Sequence, residues 1–155
     1  MLTVSTLSKT VRFPSTAVTG AALVRYGTRM KFNLDPPGGR LLVRAWTPGE
    51  IRIGDRAWTR SVLLGHDGTV AEWRPSCIED LVEADLDAVL ALGPEVILIG
   101  SGTRQRFPDR ARLAPLYAAR VGFEIMDSGA ACRTYNLLAA EGRNVAAALI
   151  VEAAR

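Results

Sequence analysis

The sequence predicts an α/β domain with a β-rich N-terminal half and a βαβαβ C-terminal half. In the first half, short apolar runs are separated by turn pairs containing Pro, Gly and Asp, which is typical of an antiparallel meander. In the second half, strand-like and helix-like segments alternate, which indicates a mainly parallel sheet with crossover helices. A length of 155 residues is that of one ordinary domain with its own core.

The first strands follow a turn cluster at Asp35–Arg40. Three runs are predicted as strands of the meander: Leu41–Trp46, Glu50–Ile53 and Ala57–Leu64. The next stretch, Leu64–Thr69, contains an Asp-Gly pair, which favours a hairpin turn, and Thr69–Trp73 is then the returning strand. His66, the single histidine, is predicted to lie in that turn.

A helix is predicted after Ser76–Glu79, because Ser-x-x-Glu is the pattern of a capping box. Its apolar residues recur at helical spacing and are predicted to face the core: Ile78, Leu81, Val82, Leu86, Val89 and Leu90. Gly93-Pro94 ends the element.

From Glu95 the pattern becomes strand, helix, strand, helix, strand. The predicted segments are Glu95–Ile99, about Asp109–Arg120, Gly122–Met126, about Gly129–Glu141 and Asn144–Val151. Pro115 conflicts with a helix interior, so the first helix either begins close to it or bends there. Gly142 is predicted to cap the second helix.

Residues 1–29 differ in composition from the rest of the chain. They contain four basic residues, no acidic residue and many Ser and Thr, as organellar transit peptides do. The alternatives are a disordered extension before a start at Met30, or an added edge strand around Val18–Tyr26. The predicted organisation is an N-terminal extension, 1–29, followed by a single domain, 30–155. Its predicted location is the cytoplasm, or the mitochondrial matrix if the source is eukaryotic and the extension is a transit peptide.

Charge and cysteine usage argue against several classes of protein. The net charge of +3 comes from the extension, since residues 30–155 hold 15 basic and 16 acidic residues, so no nucleic-acid partner is expected. No apolar run is long enough to cross a bilayer, so no membrane insertion is expected. Cys77 and Cys132 are far apart and outside any Cys/His pattern, so neither a disulfide framework nor a zinc site is predicted. No metal and no cofactor are assigned.

The stretch GSGTRQRFP, residues 100–108, follows a buried strand and is a candidate anion site. It lacks the third glycine of the dinucleotide fingerprint and the Gly-Lys of a P-loop. Backbone N–H groups at Gly100 and Gly102, with Arg104 and Arg106 beside them, would suit a carboxylate or phosphate. The alternative is that the glycines only shape a tight turn and that the arginines are solvated or pair with acids.

A second loop, MDSGAACRTYN at 126–136, should lie beside the first, because the carboxyl ends of parallel strands share one edge of the sheet. Asp127 and Ser128 are the predicted N-cap region of a helix. Cys132 and Arg133 are predicted in its first turn, where the helix dipole would favour a thiolate. A nucleophilic Cys132 would need a base that the sequence does not show, and the alternative is a thiol packed in the core. The candidate ligand-binding residues are Gly100, Gly102, Arg104, Arg106, Cys132 and Arg133, and no catalytic residue is assigned.

The run RFP at 106–108, with GFEIMDSGAACRTYNLLAAEGRNVAAALI at 122–150, resembles the MTH-type domain family. The likeness extends over about 80 residues and includes ILIGSGT. This small α/β family was formerly a domain of unknown function and includes a mitochondrial assembly factor for respiratory complex I. The resemblance implies a three-layer domain with a mixed central sheet, helices on one side and a smaller β layer, and it implies no established enzymatic activity.

Two functions of different classes remain open from the sequence. The first is a non-catalytic accessory or assembly-type protein that binds another protein. The alternative is a small anionic-ligand binder or a thiol-dependent enzyme that uses the paired loops 100–108 and 127–136. We expect a non-enzymatic role, since no catalytic constellation is evident in the sequence.

Overall fold

The computed structural model describes residues 30–31 and 40–153, so the predicted extension 1–29 lies outside the described residues. The strands are β1 Met30–Lys31, β2 Val43–Thr47, β3 Glu50–Ile53, β4 Arg56–Trp58, β5 Val62–Leu64, β6 Val70–Glu72, β7 Val96–Gly100, β8 Gly122–Met126 and β9 Val145–Leu149. The helices are α1 Glu83–Leu90, α2 Ala114–Ala119 and α3 Ser128–Ala140, with 3₁₀ turns at Ile78–Asp80 and Arg110–Leu113.

The strands form two sheets. An antiparallel meander has the order β1-β2-β3-β4, and a five-stranded sheet has the order β6-β5-β9-β7-β8. β7 pairs in parallel with β8 and β9, whereas β5 pairs antiparallel with β6 and β9. The predicted α/β class with a mixed central sheet is therefore confirmed.

The central sheet is covered on both faces. On one face, α1 and α2 pack against side chains of β7 and β9 such as Ile97 and Ala148. On the other face, α3 and the meander share a core with Leu98 and Ala147. The resemblance implied helices on one side and a smaller β layer, whereas in the structure α3 packs on the same face as the smaller sheet. Small residues fill β9, which lets both layers approach this central strand closely.

The prediction of one strand over Ala57–Leu64 is wrong. The chain leaves the meander after β4 and enters the central sheet at β5, and Ser61 lies at the crossing. Its carbonyl accepts the Trp73 N–H at 2.7 Å and its hydroxyl accepts the Val151 N–H at 3.1 Å. The sequence does not reveal this change of sheet, because Trp58 of β4 and both Val62 and Leu64 of β5 are buried in the same core.

The predicted capping box at Ser76 is also wrong. The Ser76 hydroxyl donates to Asp80 Oδ2 at 2.8 Å, and the segment forms a 3₁₀ turn rather than the start of α1. α1 begins at Glu83, where the buried Asp85 carboxylate accepts the Val82 N–H at 2.8 Å. Val82 is exposed, so it does not belong to the core stripe.

Three local predictions are confirmed. His66 lies in the β5–β6 turn, which Gly65 and Thr69 close with a backbone hydrogen bond of 2.8 Å. Pro115 lies in the first turn of α2, where its missing N–H costs little. Gly142 follows α3 at φ 80°, which a side chain would oppose.

Candidate functional site

The carboxyl ends of β7, β8 and β9 lie at one edge of the central sheet, because these strands are parallel. The loops after β7 and β8 are therefore neighbours, as the strand and helix alternation predicts. Ser101 N donates to Met126 O at 2.8 Å, and Ser128 N donates to Gly102 O at 2.8 Å. These backbone bonds draw the two loops directly against each other.

Two buried hydroxyls complete this junction. Ser128 Oγ accepts the Gly102 N–H at 2.9 Å and donates to Ile150 O at 2.7 Å, so it joins the loop after β7 to the chain after β9. Ser101 Oγ accepts the Arg106 N–H at 3.0 Å and lies 2.8 Å from Arg104 O, to which it donates. The first loop is therefore folded onto its own backbone and onto the second loop.

The two glycines allow close approach of groups from the same chain. A Cβ at Gly100 would lie 2.8 Å from Ser128 Oγ and 2.9 Å from Ser128 Cα. Gly102 has φ +106°, and a Cβ there would lie 2.6 Å from the carboxyl carbon of Glu152. Both positions therefore exclude a side chain for steric reasons.

The Glu152 carboxylate lies where the sequence predicts an anionic ligand. Its Oε2 accepts the Thr103 N–H at 2.9 Å and the Thr103 hydroxyl at 2.7 Å. Its Oε1 contacts Arg106 Nη2, while Arg106 Nη1 lies 3.0 Å from Glu79 Oε1. Arg106 is therefore paired with two acids, and an internal carboxylate meets the donors of this loop. We call Gly102, Thr103 and Arg106 the carboxylate cradle.

Arg104 lies in the same loop but, unlike Arg106, is not part of these ion pairs. It is exposed, and its guanidinium makes no ion pair with any residue among 30–31 and 40–153. A groove of about 860 Å³ runs past the cradle, and its walls include Cys77, Thr103, Arg104, Arg106 and Glu152. The loop at 127–136 is not part of these walls, so only the first of the two predicted loops faces the groove.

Cys132 lies one turn inside α3, and it is fully buried in the core shared with the meander. Burial raises the pKa of its thiol far above the ordinary value, although the charge of the neighbouring Arg133 acts in the opposite direction. The expectation that the helix start favours a thiolate here is wrong, because desolvation outweighs the helix dipole.

Asp127 is the N-cap of α3, as predicted, and its carboxylate accepts the Ala130 N–H at 2.7 Å.

Cys77 is partly buried in the groove wall. Desolvation, followed by hydrogen bonding to Asp80, raises the pKa of its thiol. Within the described part of the chain, no three His, Cys, Asp or Glu residues are grouped so as to hold a metal ion. In the same part, no helix combines the length and the apolar character needed to span a bilayer.

Two aromatic side chains are exposed, Phe107 in the loop after β7 and Tyr117 on α2, and sequence reasoning missed both. Phe107 is 67% exposed and Tyr117 is 51% exposed. A pocket of about 490 Å³ is lined by Arg110, Ala111, Ala114 and Tyr117. The Tyr117 ring is held edge-on against Phe123, with 5.4 Å between ring centroids. The signal in the sequence was a phenylalanine inside an otherwise polar loop.

Comparison with known proteins identifies relatives of this chain. Residues 43–150 match the family described as protein of unknown function (DUF498/DUF598). A 13 kDa major membrane protein of Francisella tularensis subsp. holarctica is 40% identical over 73 residues, which are 47% of this chain and 59% of that protein. Human NADH dehydrogenase [ubiquinone] 1 alpha subcomplex assembly factor 3 is 30% identical over 99 residues, which are 63% of this chain and 53% of that protein. The chain thus spans a little over half the length of these relatives.

Solved structures show the same fold. A Bordetella parapertussis protein is 36% identical with a TM-score of 0.69, and the match covers 75% of this chain and 100% of that one. A Xanthomonas campestris protein is 39% identical with a TM-score of 0.68, with 81% and 96% covered. A Bordetella pertussis protein described as a Mth938-like domain is 30% identical with a TM-score of 0.68, with 80% and 94% covered. The resemblance noted in the sequence is confirmed.

Proposed function

Because this chain belongs to the DUF498/DUF598 family, we propose that it is a non-catalytic accessory protein of the assembly-factor type that acts by binding another protein. The proposal is supported by the alignment of 63% of the chain with a protein named as an assembly factor. The proposed domain comprises residues 30–155, and β1 at Met30 is consistent with that boundary. The proposed location is the cytoplasm, or the mitochondrial matrix in a eukaryotic source.

The observation that carries the proposal is the exposure of two aromatic side chains, Tyr117 in the wall of a pocket on α2 and Phe107 in the loop after β7. Aromatic residues are enriched at protein interfaces and among their strongest contacts. The pocket that Ala111, Ala114 and Tyr117 line would receive an apolar side chain of the partner. Arg110 stands at its rim and would pair with an acidic residue there.

The test is affinity capture of the tagged full chain after crosslinking in cells of its source organism. Phe107→Ser removes the exposed ring, and Leu137→Ser is the matched control, because Leu137 is 58% exposed on α3. We expect the wild type and Leu137→Ser to recover the same partner, and Phe107→Ser to recover about tenfold less or lower. Equal recovery by all three proteins would contradict the assignment of the interface, and no reproducible partner would contradict the function.

The thiol-enzyme alternative is not favoured by the geometry. Cys132 is enclosed in the core, and His66 lies in the β5–β6 turn rather than at the carboxyl ends of the parallel strands. A thiol nucleophile must be accessible to its substrate and must be ionised. Burial of Cys132 blocks access and also raises the pKa of the thiol, so it opposes both requirements.

A further inference from the structure

We propose that the carboxylate cradle is a ligand-binding site for a carboxylate group, and that Glu152 is its built-in occupant, which an incoming carboxylate displaces. This inference is independent of the proposed function, since it requires no protein partner. It assigns roles to Thr103 and Glu152, which the sequence pattern does not single out.

The cradle is built for a carboxylate. One oxygen of Glu152 accepts from the Thr103 N–H and hydroxyl, at 2.9 and 2.7 Å, and the other contacts the Arg106 guanidinium. Both oxygens of a planar group are thus bound from different sides, with one charged donor, which is the arrangement that strengthens such hydrogen bonds. Gly102 leaves the space in which the carboxyl carbon lies.

The cradle also has donors that Glu152 does not use. Arg106 Nε is buried and lacks a hydrogen-bond partner among the described residues. The exposed guanidinium of Arg104 lines the same groove as Glu152. A second carboxylate on a ligand in the groove would therefore have the charge of Arg104 to pair with.

Glu152 can leave the cradle without disturbing the sheet. β9 ends at Leu149, and the next two residues are held separately, by Ile150 N on Gly100 O at 3.0 Å and by Val151 N on Ser61 Oγ at 3.1 Å. The contacts that Glu152 would lose are those that the incoming carboxylate would make. The exchange is therefore opposed mainly by the high effective concentration of a tethered group.

The test is a titration of the full-length, ¹⁵N-labelled protein with glutarate, at constant ionic strength maintained with sodium chloride. In the wild type we expect the Thr103 amide resonance to shift and saturate. Glu152→Ala removes the tethered competitor, so the variant should bind glutarate about tenfold more tightly than the wild type, or tighter still. The Tm of the variant should rise by about 3–6 °C when glutarate is added at about ten times its dissociation constant.

Two variants locate the effect. Arg106→Gln in the Glu152→Ala background should abolish the Thr103 shift, because it removes the charged donor. Glu72→Ala is the matched control, since it breaks an exposed ion pair with Arg60, 3.7 Å long, elsewhere on the surface. Glu72→Ala should bind glutarate as the wild type does. The wild-type titration tests the proposal even if Arg106→Gln fails to fold.

The source of the carboxylate is separated by a second probe, the peptide acetyl-Gly-Glu-Gly-amide, with its Gln counterpart as the blank. Saturation by glutarate supports a small acid as ligand, and saturation by the Glu peptide alone supports an acidic side chain of a polypeptide. The proposal is overturned if Thr103 does not respond to either probe in the wild type. It is also overturned if Glu152→Ala binds no more tightly than the wild type.

Discussion

Replacing Ser128 by alanine removes one oxygen atom and breaks two hydrogen bonds, which leaves two buried backbone groups without their partner. The Gly102 N–H and the Ile150 carbonyl both bond to Ser128 Oγ, at 2.9 and 2.7 Å, and the side chain is fully buried. An unsatisfied buried group costs about 1–3 kcal/mol, so the two together cost about 2–6 kcal/mol. Because neighbouring atoms relax, we expect the low end of that range, about 2–3 kcal/mol.

The measurement is chemical denaturation of Ser128→Ala beside the wild type, with calorimetry as a second assay. For a chain of this size the expected loss lowers the Tm by about 4–12 °C. Ser76→Ala is the matched control, since the Ser76 hydroxyl makes one exposed hydrogen bond to Asp80 at 2.8 Å. Its unfolding free energy should change by less than about 0.5 kcal/mol.

A loss below about 0.5 kcal/mol for Ser128→Ala would refute the reasoning, because two buried groups cannot both be left unpaired at so small a cost. Equal losses for Ser128→Ala and Ser76→Ala would refute it as well, since burial would then have no effect on the cost. A shift of the Gly102 amide signal in the variant would locate the change at the predicted bond.

Three further predictions follow from the core around α3 and from the loop after β7. Iodoacetamide should leave Cys132 unmodified in the native protein, whereas Cys77 should react slowly, and mass spectrometry of digests reads both. Burial raises the pKa of Tyr135 to about 12. The folded state therefore keeps the tyrosine hydroxyl protonated where the unfolded chain loses the proton, so the contribution of Tyr135 to the unfolding free energy is present below about pH 10 and is lost as the pH rises through about 12. Tyr135→Phe should reduce that loss, as measured by unfolding at pH 8 to 12. Gly100→Ala should cost about 1–3 kcal/mol of unfolding free energy, because its methyl would collide with the Ser128 backbone.

Each of these three has an outcome that contradicts it. Native labelling of Cys132 at the rate of Cys77 would show that the α3 core opens readily. Parallel curves of stability against pH for the wild type and Tyr135→Phe would show that the tyrosine does not titrate with unfolding. For Gly100→Ala, Gly122→Ala separates the steric cost from the loss of a glycine, since a Cβ at Gly122 would meet only Glu95 O among the described residues, at an ordinary 3.8 Å, and its φ is not positive. If both variants lose equally, the collision with Ser128 is not the cause.

Much of the fold could be predicted because local chemistry and tertiary structure agree. The strand at Glu50–Ile53 has the predicted bounds, and Pro115 and Gly142 mark a helix start and a helix end as their backbone preferences require. The alternation after Glu95 also places the loops after β7 and β8 side by side. These features depend on residues close together in sequence or on a general rule of parallel sheets.

The carboxylate cradle could be predicted only in part, because its occupant is distant in sequence. Gly102 and Arg106 were visible as an anion-binding pattern, but Glu152 lies 46 residues beyond Arg106. No local signal connects the two. The prediction of a thiolate at Cys132 failed for a similar reason. The burial of this residue depends on the packing of α3 against the meander, and the desolvation of the thiol outweighs the effect of the helix dipole.

The position of β9 has a consequence for how the chain folds. It is the last of the described strands in chain order, yet it lies in the middle of the central sheet, between β5 and β7. Before β9 pairs, the pairs β5–β6 and β7–β8 each have an unpaired edge. The hydrogen-bonding partner strand of β5 on that edge, which places Leu149 opposite Val62, is then still missing. Contacts so distant in sequence slow folding and expose unpaired edges to other chains. The central sheet must therefore close late, after nearly all of the described chain has been synthesised, and a chain truncated before β9 should aggregate rather than fold.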